Sequence, residues 1–112
     1  MKKLTNISND PIQTFTLIIG EEEATITLRF YPTIRQWYFS LTFRGIKTSN
    51  VKLSLGVLHI QSLNYPFDFI ISDTSGSGID PFQIEDFEVG RIELYRLTAE
   101  EMQDIRGYNV EV

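Results

Sequence analysis

Apolar and polar residues alternate along most of the chain, and the alternation is strongest between Gln36 and Arg44. Successive side chains of a β-strand point to opposite faces, so a period of two indicates a strand with one apolar face. The apolar positions of this run are Trp37, Phe39, Leu41 and Phe43. Because aromatic side chains bury large areas, we predict that this face anchors the core of the chain.

Two runs that precede this strand predict a hairpin. Ile12 to Ile19 and Glu23 to Phe30 both alternate, and a short polar turn containing Gly20 separates them. Alternating runs on either side of a short polar turn are typical of a β-hairpin. Pro32 cannot donate a hydrogen bond to a strand ladder, so we expect the second strand to end there. Together with the Trp37 strand, the hairpin predicts a three-stranded meander.

Three later segments also predict strands. Val51 to Ile60 begins with apolar residues on one parity and changes to the other at Gly56, which suggests a bulge or a tight hairpin. Phe67 to Ile71 and Gly90 to Leu97 alternate as well. The segment from Asp73 to Gly90 is rich in glycine, serine and acidic residues, and we interpret it as one long loop.

The C-terminal segment has the signature of a helix start. Thr98 and Glu101 form a capping box, in which each side chain bonds the backbone N–H of the other residue. We expect a short helix to Arg106 that Gly107 stops, and then a tail (108–112) that adds an edge strand or hangs free. The predicted fold class is all-β and mainly antiparallel: a small barrel or sandwich of roughly six to eight strands with one short C-terminal helix.

Length and composition suit one small domain. The 112 residues can bury a single core, so we expect one β domain over residues 1–112 with a flexible, polar N-terminal arm at residues 1–10. The sequence contains no cysteine, which excludes disulfides and thiolate zinc sites. The net charge of −5 argues against nucleic acid and membrane surfaces as partners, because both attract basic proteins. No apolar run approaches the roughly 20 residues that span a bilayer.

The loop at Asp73 contains the sequence Asp-Thr-Ser-Gly, which resembles the Asp-Thr-Gly motif of aspartic proteases. Retroviral-type members are small all-β homodimers in which two such aspartates share one proton. Their motif needs glycine directly after threonine, whereas Ser75 intervenes here. We therefore predict no catalytic residue, and we keep a homodimeric retroviral-type aspartic protease using Asp73 as an alternative.

The same loop is acidic, which raises the question of a calcium site between residues 73 and 88. Its carboxylates are Asp73, Asp80, Glu85, Asp86 and Glu88. Their spacing matches no EF-hand, and a run of charged residues usually forms a solvated face. We therefore predict no metal site, and metal binding by the loop at residues 73–88 is left open. Gly76 and Gly78 open no helix after a parallel strand, so no cofactor site is predicted. His59, the only histidine, is interpreted as a polar-face strand residue.

Tyrosines raise a further alternative, a carbohydrate-binding platform. The candidates are Tyr31, Tyr38, Tyr65 and Tyr95. A sugar site would need exposed, coplanar rings, whereas tyrosine is also enriched at protein interfaces and at partly buried strand ends. A small carbohydrate- or protein-binding β module is therefore kept as an alternative function.

With these strands in order, the chain resembles the small baseplate plug family of contractile-tailed bacteriophages and prophages. The resemblance covers roughly Ile12 to Leu97 and rests on the N-terminal alternating hairpin followed by four motifs. The motifs are the Trp-initiated strand that ends in glycine (Trp37 to Gly45), Val51-x-Leu53 with Gly56 and Leu58, Phe67-Asp68-Phe69, and Gly90-Arg91-x-x-Leu94-Tyr95. These motifs consist mostly of residues expected in the core.

The resemblance implies a non-enzymatic structural component of a phage or prophage tail baseplate. Such a plug-like assembly protein would act through contacts with other baseplate or tail proteins, and a homo-oligomer is left open. It would use no cofactor and would bind neither nucleic acid nor membrane. It would lie in the virion tail baseplate, after synthesis and assembly in the cytoplasm of the host bacterium.

Overall fold

The computed structural model describes the backbone of residues 1–110 and the side chains of residues 1–104. The strands are β1 (Lys2–Lys3), β2 (Ile12–Ile19), β3 (Glu22–Tyr31), β4 (Gln36–Phe43), β5 (Ile46–Lys52), β6 (Phe67–Asp73) and β7 (Ile92–Thr98). A short 3-10 helix spans Gln61–Leu63, and α1 spans Ala99–Val110. One sheet has the order β2-β3-β4-β5 and the other β1-β7-β6, with antiparallel neighbours throughout.

The predicted meander is confirmed, because β3 pairs antiparallel with both β2 and β4, and β5 extends it through a tight hairpin. Phe43 pairs with Ile46, so the connection between β4 and β5 is a two-residue loop of Arg44 and Gly45. Both loop residues have positive φ, 54° and 75°. This is the type I′ pattern, whose twist matches that of the flanking strands, and glycine adopts it without steric cost.

The core lies between the two sheets. The apolar face of β4 is buried as predicted, with Trp37, Phe39, Leu41 and Phe43 each at most 1% exposed. Aromatic rings from β4 and β6 meet across the interface: the centroids of Phe39 and Phe69 lie 5.7 Å apart, and those of Phe43 and Phe67 lie 5.0 Å apart. The all-β fold class is confirmed, and the described residues form a two-sheet sandwich and not a closed barrel.

The strand predicted at Val51 to Ile60 is wrong in its bounds. The strand there is β5, which starts at Ile46 and ends at Lys52, and its bulge lies opposite Ser40 and not at Gly56. β5 is an edge strand without a fully buried residue, and five of its seven residues are polar, so its apolar alternation was weak. The following residues 53–66 form the β5–β6 loop.

The helix start is confirmed and the predicted helix end is wrong. The N–H of Thr98 donates to Glu101 Oε1 at 3.0 Å, and the N–H of Glu101 donates to Thr98 Oγ1 at 3.3 Å. The helix continues through Gly107 to Val110, since glycine in a helix costs only about 1 kcal/mol. Of the predicted tail, residues 108–110 belong to the helix and 111–112 lie outside the described residues. No helix of the described residues is long and apolar enough to cross a membrane.

The N-terminal arm lies against both sheets. Lys2 pairs with Arg96 of β7, and the N–H of Leu4 donates to the carbonyl of Leu94 at 2.8 Å. Further along, the buried side chain of Gln13 bonds both the N–H and the carbonyl of Ser8. The arm thus bridges from β7 to the start of β2. Its flexibility in solution stays a prediction.

We expect Trp37→Ala to lower the free energy of unfolding by about 3–5 kcal/mol, because it opens a large cavity in the core. Trp37→Phe should cost less, since it keeps an aromatic ring and removes only the indole N–H and part of the volume. Urea denaturation followed by circular dichroism measures both changes. A Trp37→Ala midpoint equal to that of the wild type would contradict a core role.

Candidate functional site

The β6–β7 loop (residues 74–91) is organised by one cation. Arg91 donates from Nε to Asp86 Oδ1 at 2.8 Å and from Nη2 to Asp86 Oδ2 at 2.9 Å, which is a bidentate pair. Asp86 is only 1% exposed. Burial raises the pKa of Asp86, but the bonds from Arg91 and from backbone N–H groups outweigh burial and leave that pKa below its usual value. Both charges are therefore held in place inside the loop.

Further bonds from the same guanidinium close the loop around it. Arg91 donates to the carbonyls of Ile79 at 3.1 Å and Asp80 at 3.2 Å, and it stacks over the ring of Phe82 at 5.2 Å. Asp86 Oδ2 also accepts the backbone N–H groups of Phe82 and Gln83. A loop with this many internal bonds is fixed in shape, so its tip is held in one position on the sandwich.

Asp73, the candidate protease residue, lies at the end of β6 and anchors the start of the loop. Its Oδ1 accepts from the N–H and the hydroxyl of Ser75 at 2.9 and 2.6 Å. Its Oδ2 accepts from the hydroxyl of Ser77 at 2.6 Å and from the N–H of Gly78 at 2.8 Å. Hydrogen bonds from the Ser75 and Ser77 hydroxyls are the main reason why the pKa of Asp73 lies well below its usual value.

These bonds suit a turn-forming carboxylate. An aspartic protease needs a carboxyl that shares a proton with its partner, which requires one raised pKa and a free oxygen edge. In Asp73 the pKa is lowered and each oxygen already accepts two hydrogen bonds from the same loop. The geometry therefore assigns Asp73 to the folding of the loop.

The acidic residues of the loop do not converge. Asp80 pairs with Lys52 at 3.3 Å and accepts the N–H of Leu55 at 2.9 Å, while Asp86 is bonded to Arg91. Within the part of the chain that the structure describes, no group of three or more His, Asp or Glu side chains could hold a metal ion. Asp73 also lies 3.5 Å from Arg91, so Asp73 and Asp86 share this cation while Asp80 pairs with Lys52.

The tyrosines do not form one platform. Tyr31 and Tyr38 are neighbours at 5.2 Å, but their rings are perpendicular at 88°. Tyr65 packs on the core between Phe43 and Phe67, and Tyr95 bonds Glu93 through its hydroxyl. A sugar stacks on a flat exposed ring face, and the perpendicular pair offers no shared plane of that kind.

His59 lies in the β5–β6 loop and not on a strand, so its predicted position is wrong. Its Nε2 accepts the N–H of Ser54 at 2.9 Å, which leaves Nδ1 to donate to the carbonyl of Phe69 at 2.8 Å. This arrangement requires the neutral ring, and burial lowers the pKa of His59. The histidine therefore ties the loop to β6.

Asp68 strengthens the same attachment from β6. It is fully buried, and its Oδ1 accepts the N–H groups of Ile60 at 2.9 Å and Phe69 at 2.6 Å. Its Oδ2 has no hydrogen-bond partner among the described residues, and burial raises the pKa of this carboxyl. Strand alternation places Asp68 opposite the core face, and the β5–β6 loop covers it there.

A groove separates the two sheets along one side of the sandwich. This β1–β2 groove lies between the arm and β2, has a volume of about 310 Å³, and has apolar side chains of Phe15 and Leu17 beside cations of Lys2 and Arg96. Arg96 crosses one end of it and donates to the carbonyl of Ile18 at 2.7 Å. The groove marks where the core remains partly open.

The sequence did not identify Arg91 as the centre of the loop, although Arg91 belongs to the Gly90-Arg91-x-x-Leu94-Tyr95 motif. One signal was present: Arg91 is the only Lys or Arg between Asp73 and Ile92, a stretch that contains several carboxylates. A single cation in an acidic loop is a strong candidate for the partner of whichever carboxylate becomes buried. Which carboxylate that would be depends on how the loop closes.

Comparison with known families finds a match over most of the chain. The family described as "Cyanophage baseplate Pam3 plug gp18" matches residues 1–99. The matched part includes every strand of both sheets and the whole β6–β7 loop. No curated protein is significantly similar to the chain.

We expect Arg91→Lys to lower the free energy of unfolding by about 1–3 kcal/mol, because an ammonium cannot replace the bidentate bonds to buried Asp86. Arg44→Lys is the matched control: Arg44 makes the same bidentate contact with Glu22, but in an exposed pair. Surface pairs contribute little, so its urea midpoint should stay near that of the wild type. Equal losses in the two variants would show that the loop network is no stronger than a surface pair.

We also expect stability to fall between neutral and mildly acidic pH through His59. Above about pH 6.5 the ring is neutral in both the folded and the unfolded chain. Below that pH the unfolded chain takes up a proton while the folded protein, whose His59 pKa is lowered, does not, so the free energy of unfolding decreases as pH falls toward the folded pKa.

Urea denaturation at about pH 7.5 and about pH 5.5 measures the free energy of unfolding of the wild type and of His59→Gln. In this variant the side-chain oxygen can still accept a hydrogen bond from the N–H of Ser54. Asp68 acts with the opposite sign, because a raised pKa removes stability as pH rises, so only the difference between the two proteins isolates the histidine. The same pH slope in both proteins would exclude His59 as its source.

Proposed function

Since the chain belongs to the cyanophage baseplate Pam3 plug gp18 family, and is thus a structural component of a phage tail baseplate, we propose that it works without catalysis, through contacts with neighbouring proteins. The match over residues 1–99 is the observation that carries this proposal. The partners would be other baseplate or tail proteins, as membership of the family implies.

The construction of the β6–β7 loop supports a contact role. Asp73 and Asp86, which could have supplied acid–base chemistry, are both bonded within the loop and have lowered pKa values. The loop instead presents apolar side chains to solvent, with Ile79 52% and Val89 67% exposed. Loops fixed on a rigid scaffold are common sites of recognition.

Charge and location complete the proposal. A net charge of −5 opposes binding to nucleic acid and to anionic membranes, because both are negatively charged. The protein would be made in the cytoplasm of the host bacterium and incorporated into the tail baseplate there, as a monomer or as a homo-oligomer. It would form one folded domain and use no cofactor or metal.

Deleting the gene from the phage or prophage that encodes it should leave tails with an incomplete baseplate, visible by electron microscopy, and the wild-type gene supplied in trans should restore them. A tagged copy should be found in the baseplate of purified tails. Normal baseplates and infectivity without the gene would contradict the structural role.

Purified protein should not cleave an unstructured polypeptide at acidic or neutral pH. The matched test is Asp73→Asn, because this change removes the carboxylate that an aspartic protease requires. Hydrolysis by the wild type that disappears in Asp73→Asn would favour the protease alternative.

A further inference from the structure

The sandwich has unequal sheets, and the β1–β2 groove is the consequence. β1 contributes only two residues to the edge of its sheet, while β2 forms the opposite border over eight residues. Phe15 and Leu17 point inward from β2 yet remain only partly buried. They form an apolar floor that nothing in the described part of the chain covers completely.

The backbone of β2 offers hydrogen bonds along this groove. The carbonyl of Pro11 accepts the N–H of Phe30 at 2.8 Å, so the odd-numbered residues of β2 exchange backbone bonds with even-numbered residues of β3. The N–H and C=O groups of even-numbered residues of β2 then point away from β3. Among the described residues Thr14 and Thr16 find no backbone partner on that side, and the carbonyl of Ile18 is taken by Arg96. An apolar floor beside an unpaired strand edge is the arrangement that accepts an added strand.

The charges of the groove indicate the chemistry of the occupant. Lys2 and Arg96 line it, and no carboxylate of the described residues lies within ion-pair distance of either, although neighbouring Lys3 is paired with Glu93 at 2.7 Å. All three charged residues that line the groove, Lys2, Lys3 and Arg96, are cations, although the protein has a net charge of −5. A second copy with the same net charge would be repelled overall, which favours a different polypeptide.

We propose that β2 pairs with an extended acidic segment of another baseplate or tail protein, which becomes a fifth strand of the β2-β3-β4-β5 sheet. Alternate side chains of that segment would pack on Phe15 and Leu17, and its carboxylates would meet Lys2 and Arg96. The segment would complete the core on its open side. This inference rests on the function proposed above.

A photo-crosslinking amino acid at position 16 tests the occupant in assembled tails. Thr16 lines the groove, whereas Thr42 is exposed on β4 and is not part of the groove lining, so position 42 is the matched control. Position 16 should crosslink to an acidic, extended segment of a different protein, and position 42 should not. Crosslinks to a second copy of the chain, to a segment without acidic residues, or to no protein would overturn the inference.

Thr16→Pro tests the strand pairing itself. Proline at this position removes an N–H that faces away from β3, so the fold should survive. An added strand would lose one hydrogen bond and would clash with the proline ring. Incorporation into tails should drop about tenfold with a melting temperature close to that of the wild type. Normal incorporation of the variant would refute strand addition.

Charge reversal keeps the test valid if the proline variant does not fold. Lys2→Glu should reduce incorporation, whereas Lys47→Glu, on the far edge strand β5, should not. Equal incorporation of both would overturn the inference. Failure of the wild-type chain itself to enter tails would instead refute the proposed function, so the two failures are distinguishable.

Discussion

The rest of the structure depends on the ring packing and the hydrogen bond of the Trp37 indole. Its ring is fully buried and packs against Phe30 and Phe87 at centroid distances of 5.3 and 5.1 Å. Its N–H, which burial deprives of water, donates to the carbonyl of Gln83 at 3.0 Å. Because one side chain contacts both the sheet and the β6–β7 loop, the core cannot close properly without the loop.

Burial of charge then gives the loop its shape. Asp86 lies beneath the surface next to Phe87 of the core, and an unpaired carboxylate there would be strongly unfavourable. Arg91 removes that cost with bidentate bonds and uses its remaining donors on loop carbonyls. The polar, glycine-rich β6–β7 loop therefore packs on the core through Phe87 and presents a defined surface.

The two long sides of the sandwich differ in how they are closed. Between β5 and β6, His59 and Asp68 attach a loop by hydrogen bonds to β6 and cover the core. Between β1 and β2, the arm and Arg96 are what bridges the sheets within the described residues. This side therefore has both a partly buried apolar floor and, among the described residues, backbone groups of Thr14 and Thr16 without a backbone partner.

The sequence by itself determined the local elements. Alternation identified the β2–β3–β4 meander and the buried face of β4, and the capping box located the start of α1, because strand faces and helix caps depend on neighbours along the chain. It did not give the bounds of β5, whose residues are mostly polar, and it predicted a helix stop at Gly107, whereas the helix continues to Val110. The burial of Asp68, the pairing of Asp86 with Arg91 and the β1–β2 groove were decided only by tertiary structure. Each depends on which loop covers which face, and that is set by contacts between residues far apart in the chain.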